Sequence, residues 1–148
     1  MQAPPLAHWQ RYPVTVGIAL GAVAMTAWTR FGEDLNRGIN WLMTDQFWSG
    51  QLWRPLTSCL LHGNVLHLVF NLYWLWIFGA MLEGVFSSAR MFCIVILLAV
   101  GSSLAQYALS GPGIGLSGVV YGLFGLLWVL RRSDRRFFRQ STIPPSNF

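Results

Sequence analysis

Apolar residues occur along this chain in four long runs that are separated by polar or charged stretches. A helix that crosses the hydrocarbon core of a bilayer needs about 20 mostly apolar residues. The runs extend from about Tyr12 to Trp28, Val65 to Phe86, Met91 to Leu109 and Leu116 to Leu130. The pattern therefore predicts an all-α, polytopic membrane protein with four transmembrane helices, the last of which is short.

The connection Arg30–Leu61 joins the first two runs and cannot cross a membrane, because charged side chains are spread along it. It is also rich in tryptophan and other large apolar residues, which concentrate at membrane interfaces. We expect a partly helical loop that lies on the membrane surface. The chain is predicted to form one membrane domain over residues 1–139, and the polar, proline-containing residues 140–148 to form a disordered tail.

Composition and charge agree with a membrane protein. Hydrophobic residues make up 54% of the 148 residues and charged ones only 10%, whereas soluble domains carry roughly 25% charged residues. The ten basic residues are all arginine, and half of them follow the fourth run, at Arg131, Arg132, Arg135, Arg136 and Arg139. Directly after an apolar run, such a cluster is typical of a cytoplasmic anchor and not of a nucleic-acid surface.

Arginine placement also predicts the orientation. With four spans, both chain ends and the loop between spans two and three lie on one side, which holds seven arginines against three on the other. The ends are therefore expected in the cytoplasm and the long loop outside it. An alternative is that the first run is a signal peptide cleaved near Ala22–Ala24, but the apolar run continues past that point, which favours an uncleaved span.

Polar side chains interrupt two of the runs. In the second run, Asn64 can cap the helix, and His67 and Asn71 are four residues apart and share one helix face. His62 precedes that helix. In the fourth run, Ser117 lies in the first turn, after a glycine-rich entry. Since both helices run from outside to inside, the two polar sets are expected at one depth, in the outer half of the membrane.

These residue types fit nucleophilic catalysis. A serine hydroxyl becomes a useful nucleophile beside a base, and a helix N-terminus with nearby histidine and asparagine donors can stabilise an oxyanion. Gly115 allows a close backbone approach, and Tyr121 shares a helix face with Ser117. Taken singly, each residue is more simply a cap or a packing residue. The histidine spacing does not fit a metal site, the two cysteines (Cys59 and Cys93) form no metal or disulfide pattern, and no cofactor is expected.

Two sequence segments resemble the rhomboid family of intramembrane serine proteases. One is Trp53–Thr57 followed by an H-x4-H-x3-N pattern; the other is Gly115–Tyr121, with Gly122 and Gly125 after it. The resemblance covers about residues 10–132. It implies a partial rhomboid-like bundle with a long, membrane-associated first loop, and substrates that are transmembrane proteins of the surrounding lipid bilayer.

The resemblance also implies a role for each matching residue. Ser117 corresponds to the nucleophile, and His67 and Asn71 to the side chains that stabilise the oxyanion. Backbone N–H groups of Ser117 and Leu116 would assist them. The remaining matches are supporting residues: His62 and Gly115 at the site, Tyr121 against the catalytic histidine, and Glu83 near the inner end of the second span.

The chain departs from the family in one respect. The family has six core spans and takes its catalytic histidine from the sixth, whereas this chain has four predicted spans. His8, the remaining histidine, is expected at the cytoplasmic end. We therefore expect a truncated chain that is inactive alone; the alternative is a non-catalytic rhomboid-like protein that binds transmembrane segments. A bacterial inner membrane is the expected location. Gly118 and Gly122 are expected to face lipid or another copy, with self-association as the result.

Overall fold

The computed structural model describes residues 5–29 and 33–133, and within these ranges every regular element is helical. The described ranges contain short 3-10 helices at Leu6–Arg11, Leu35–Trp41 and Asp45–Phe47. The α-helices are α1 (Pro13–Trp28), α2 (Arg54–Leu60), α3 (Val65–Phe86), α4 (Ser88–Ser110) and α5 (Ser117–Ser133). The predicted all-α class is confirmed for the described ranges. The predicted tail 140–148 and three of the clustered arginines lie outside them.

Local sequence signals set where these helices begin. α1 starts at Pro13, whose fixed φ suits the first helical position and whose missing N–H is not needed there. α3 starts after Asn64, whose side chain accepts a hydrogen bond from the backbone N–H of His67 at 2.8 Å. Only Ser87, with a φ of +76°, separates α3 from α4. This short connection forces the two long helices to run antiparallel side by side.

Two of the described helices, α3 and α4, are long and apolar enough to cross a membrane, with 22 and 23 residues. α1 is also apolar but has 16 residues. α5 has 17 residues and carries Arg131 and Arg132 in its last turn. The apolar helices and the family relationship reported below identify an integral membrane protein. That all four long helices span the bilayer stays a prediction.

α3 lies at the centre of the bundle, in contact with α1, α4 and α5. Its Leu75 and Leu82 are fully buried, and Phe78 packs against Phe124 of α5 with ring centroids 5.5 Å apart. The other helices add buried apolar residues to the same core, among them Ala22, Met91, Val95, Val119 and Leu123. The core fixes the start of α3 next to the start of α5, where the predicted site residues lie.

Glycines of α5 allow this helix to approach α4 closely. Their positions contradict the expectation that Gly118 and Gly122 face lipid or another copy. A Cβ on Gly118 would lie 2.5 Å from the Cβ of Ser102 in α4, and one on Gly122 would collide with Leu98 of the same helix. These glycines therefore face α4, and not lipid or a second copy as predicted. The prediction was wrong because sequence shows that a face is small without showing which helix covers it. Self-association loses the support that these glycines gave it.

A buried carboxylate joins the end of α3 to the starts of α1 and α4. Glu83 of α3 is 3% exposed and accepts hydrogen bonds from the backbone N–H groups of Val14 and Thr15 at 2.9 and 2.8 Å. It also accepts from the hydroxyls of Thr15 and Ser88, both at 2.8 Å. A carboxylate at the first turn of α1 satisfies N–H groups that have no helical acceptor. Glu83 thus fixes α1 and α4 to α3.

The connection between α1 and α3 is partly helical, as predicted, with two 3-10 helices and α2. Several of its large apolar side chains are exposed, most of all Trp48 and Leu52 at 72% and 66%. Met43, by contrast, is buried. An apolar surface of this kind suits a loop at a membrane interface. Its position on the membrane surface stays a prediction.

Candidate active site

The first turns of α3 carry two of the predicted site residues. Asn71 is 2% exposed, and its side-chain amide donates to the backbone oxygen of His67 at 2.9 Å. This bond uses the four-residue spacing of the helix and ties the amide of Asn71 to the turn that carries the His67 ring. Asn64 caps the same turn, so the backbone of His67 is held by hydrogen bonds to the side chains of both Asn64 and Asn71.

His62 is fully buried immediately before this helix. Its Nδ1 lies 3.2 Å from the backbone oxygen of Leu60 and 3.3 Å from the hydroxyl of Thr26. Its Nε2 accepts a hydrogen bond from the backbone N–H of Leu116 at 3.4 Å. A neutral ring with its proton on Nδ1 satisfies these contacts. Burial lowers the pKa of His62 to about 4, against the opposing effect of the Leu60 bond, and so keeps the ring neutral at physiological pH.

Gly115 brings the turn before α5 against both histidines. A Cβ at this position would lie 2.6 Å from Cε1 of His67 and 3.6 Å from Cδ2 of His62. Gly115 also has a φ of +102°, a conformation that other residues rarely adopt, and its N–H donates to the backbone oxygen of Ser58 at 3.1 Å. The two imidazole rings meet edge to face, with centroids 5.0 Å apart. Only glycine allows the chain to pass this close to the ring of His67.

Ser117 is the first residue of α5, where backbone N–H groups have no helical acceptor. It is half-buried and opens on a cavity of about 220 Å³. The cavity wall is mixed in polarity, and its polar side chains come from Ser58, Cys59, Ser102, Ser103 and Gln106. Ser103 donates to the backbone oxygen of Pro55 at 2.7 Å, and its hydroxyl lies 3.3 Å from Ser58 Oγ and from Cys59 Sγ. Polar side chains in a cavity beside a serine can hold water inside a membrane protein.

The structure thus brings four of the sequence-predicted residues into direct contact: His62, His67, Gly115 and Leu116. Asn71 joins them through its bond to the His67 backbone. The N–H of Leu116 is engaged by His62, which leaves the N–H of Ser117 as the backbone donor at the helix start. Tyr121 is 72% exposed, so its ring presents an open face one turn beyond Ser117. His8 lies before α1, at the end of that helix opposite to Thr26 and His62.

Sequence reasoning missed the supporting residues contributed by α1, α2 and α4. Thr26 touches His62, and the serines and glutamine of the cavity surround Ser117. A signal existed for the residues of α4, because Ser102, Ser103 and Gln106 are polar residues in an apolar span and such residues are functional candidates. Cys59 is buried, and its thiol is hydrogen-bonded within the cavity wall. Among residues 5–29 and 33–133, no three metal-ligating side chains converge.

Comparison with known proteins identifies the family. The model of the Rhomboid domain matches residues 49–148, which is more than half of the chain. The chain therefore belongs to the rhomboid family, in agreement with the resemblance seen in the sequence.

Two relatives are named Rhomboid protease GlpG. The protein from Photorhabdus laumondii is 37% identical over 122 residues, which cover 81% of this chain and 43% of the relative. The protein from Enterobacter sp. (strain 638) is 42% identical over 84 residues, or 56% of this chain and 30% of the relative. The chain thus spans less than half the length of either relative.

Proposed function

We propose that this chain forms the nucleophile-bearing half of an intramembrane serine endopeptidase of the rhomboid type. The observation that carries the proposal is the contact between Gly115 and His67, which joins the histidine-bearing start of α3 to the turn that opens at Ser117. Both relatives are named as proteases, in support of the same chemistry. The proposed substrates are membrane-anchored proteins, whose cleavage within or near their spans suits a site built between membrane helices.

In the proposed reaction, the hydroxyl oxygen of Ser117 attacks the scissile carbonyl carbon while a general base takes its proton. The N–H of Ser117 and the side chains of His67 and Asn71 stabilise the oxyanion that forms. The carbon–nitrogen bond then breaks, the protonated base gives its proton to the departing amine, and an acyl ester remains on Ser117. Water from the adjacent cavity hydrolyses the ester and returns the serine hydroxyl.

The supporting residues hold this arrangement in place. His62 accepts the Leu116 N–H and so anchors the turn next to Ser117, and Gly115 keeps His67 in contact with that turn. We propose that the open ring face of Tyr121 packs against the imidazole of the general base. The positions of His62, Gly115 and Leu116 explain why substitutions there would impair activity without removing a reacting group.

We further propose that the base is a histidine from outside residues 5–29 and 33–133. His62 is enclosed with both ring nitrogens engaged, and His67 serves the oxyanion. His8 is separated from the site by the length of α1, 16 residues, or about 24 Å at 1.5 Å per residue. The 148-residue chain is accordingly expected to be inactive when it is purified alone.

The proposed setting is a bacterial inner membrane, with both chain ends in the cytoplasm and the site toward the outer side. The arginine distribution supports this orientation. Under it, the connection between α1 and α3 lies in the outer leaflet, and substrate helices reach Ser117 laterally from the bilayer.

A fusion experiment tests the function. The chain is joined, after Phe148, to the part of the Photorhabdus relative that follows the matched segment, which would supply the missing base. We expect the fusion to cleave a fluorogenic transmembrane substrate and to react with a fluorophosphonate probe, whereas the chain alone does neither. Ser117→Ala should abolish both signals, and the exposed Ser49→Ala, a matched control, should leave them unchanged.

Two outcomes would count against the proposal. Turnover by the purified chain alone that Ser117→Ala abolishes would contradict the need for an outside base. A correctly folded fusion that binds a transmembrane peptide but neither cleaves it nor takes up the probe would favour the non-catalytic alternative instead.

A further inference from the structure

A second cavity lies in the connection between α1 and α3, apart from the Ser117 site. Its volume is about 540 Å³, and its lining residues are Asn40, Trp41, Gln46, Gln51, Trp53 and Arg54. All six side chains carry N–H donors: two indoles, three primary amides and one guanidinium. None of the six is a carboxylate. A cavity lined by donors and one cation, without an acid, is suited to an anion.

Arg54 supplies the charge. Its side chain is 2% exposed, and its hydrogen bonds go to neutral oxygens. Nε donates to Gln51 Oε1 at 2.6 Å, one terminal nitrogen donates to the backbone oxygens of Ile39 and Leu42 at 3.3 and 2.7 Å, and the other donates to Gln46 Oε1. A buried charge whose hydrogen-bond partners among the described residues are all neutral is costly, and a counter-ion lowers that cost.

These hydrogen bonds also determine which side-chain atoms of Gln46 and Gln51 can bind a ligand. The amide oxygens of Gln46 and Gln51 are used by Arg54, so their amide nitrogens remain as donors. The guanidinium is therefore both the positive charge of the cavity and the group that orients its neighbours. An anion would find a fixed set of N–H groups in place of a flexible surface cation.

The surroundings of the cavity favour a phosphate group in particular. Trp41 and Trp53, which line the cavity, are 40% and 49% exposed, and Trp48 and Leu52 of the same connection are also exposed. Exposed tryptophans concentrate at the depth of lipid headgroups, where phosphate is the abundant anion. The volume admits a phosphodiester together with its glycerol. A guanidinium with amide donors beside it recognises phosphate oxygens.

We propose that this cavity binds a phosphate group, carried by a phospholipid headgroup or present as free inorganic phosphate, through Arg54 and the amides of Gln46 and Gln51. Occupancy would neutralise the buried charge and stabilise the connection that leads into α2. The proposal does not depend on the protease function, because no residue of the Ser117 site lines this cavity.

Gln51→Glu tests the site with little disturbance of the fold. A carboxylate at this position keeps the hydrogen bond to Arg54 Nε and supplies an internal counter-ion, so the connection should remain folded. Gln10→Glu is the matched control, because it makes the same chemical and net-charge change on an exposed residue before α1. The detergent-solubilised 148-residue chain is titrated with dihexanoyl phosphatidylglycerol, inorganic phosphate and uncharged dihexanoyl glycerol by calorimetry.

We expect saturable binding of a phosphate-bearing ligand that Gln51→Glu weakens about tenfold or more, since like charges in the cavity repel, and that Gln10→Glu leaves unchanged. Tighter binding of phosphatidylglycerol than of phosphate identifies the lipid as the source, and equal binding identifies the free ion. The proposal is overturned if neither phosphate ligand binds, if the uncharged glycerol lipid binds equally well, or if the two variants give the same affinities.

Discussion

At the scale of single residues, Gly115 determines how closely the turn before α5 approaches His67. Gly115→Ala places a methyl group 2.6 Å from the His67 ring and forces a φ of +102° on a residue with a side chain. The strained backbone costs about 1–3 kcal/mol, and the ring must move. Because misplacement by about 1 Å can cost about a hundredfold in rate, we expect at least that loss of turnover in the fusion described above.

Gly50→Ala separates the two effects of Gly115→Ala, which are backbone strain and the contact with the His67 ring. Gly50 has a nearly identical φ of +99°, but a Cβ there would meet nothing within 4 Å. The control should therefore lower the melting temperature through backbone strain and leave the turnover within severalfold of the parent. If both variants lost turnover equally, the contact between Gly115 and His67 would have no special role in the site.

The sequence predicted residues that carry their own chemistry and missed those that act through packing. His67 and Asn71 stood out because they interrupt an apolar run at helical spacing, and Ser117 because glycines flank it. Thr26 and Ser58 carry no such signal: a threonine or serine in a membrane helix is common, and only the packing of α1 and α2 against α3 and α5 brings them to the site. Their roles depend on distances between helices, which one sequence does not encode in any local pattern.

At the scale of elements, Glu83 fixes how α1 and α4 sit on α3. Glu83→Gln keeps the shape but replaces one acceptor oxygen by an NH₂ group, which would face donors from Thr15 or from Val14 and Ser88. The loss of charge-assisted hydrogen bonds in a buried position predicts a destabilisation of about 2 to 3 kcal/mol, measured as a shift in thermal unfolding in detergent.

Glu33→Gln is the control for that substitution, since Glu33 is exposed in the connection after α1. It makes the same change of charge and should leave the unfolding temperature unaltered. A Glu83→Gln protein as stable as the Glu33→Gln protein would mean that the four hydrogen bonds do not hold the helices together.

The positions of the helices along the chain were largely predictable, whereas the helices that pack against each other were not. The run Val65–Phe86 has the same bounds as α3, because Asn64 caps its start and the polar Ser87 follows its end. For α5, the same reasoning found the helix but assigned the wrong neighbour to Gly118 and Gly122. Apolar length and caps are local properties, so they can be found along the chain. The helix that fills a small-residue face is determined by the whole bundle, here by Ser102 and Leu98 of α4.

At the scale of the whole molecule, the two cavities lie toward the same end of the bundle. α2 joins them, since Arg54 at its start lines the proposed phosphate cavity and Ser58 and Cys59 at its end line the cavity of Ser117. The opposite end carries Glu83, the start of α1 and the arginines at the end of α5. The two ends of the molecule thus differ: one carries both cavities, and the other carries the Glu83 hydrogen bonds and the positive charge of the arginines.

That difference predicts the orientation in the membrane. Alkaline phosphatase, which is active only outside the cytoplasm, should be active when it is inserted after Ser49 and inactive when it is fused after Phe148. We expect a difference of about tenfold or more, because clustered arginines after α5 hold that end in the cytoplasm. Green fluorescent protein, which fluoresces only when it folds in the cytoplasm, should give the reverse pattern at the same two positions. Equal phosphatase activity at both positions would contradict the prediction that they lie on opposite sides of the membrane. An active fusion after Phe148 would invert the orientation and place Ser117 toward the cytoplasm.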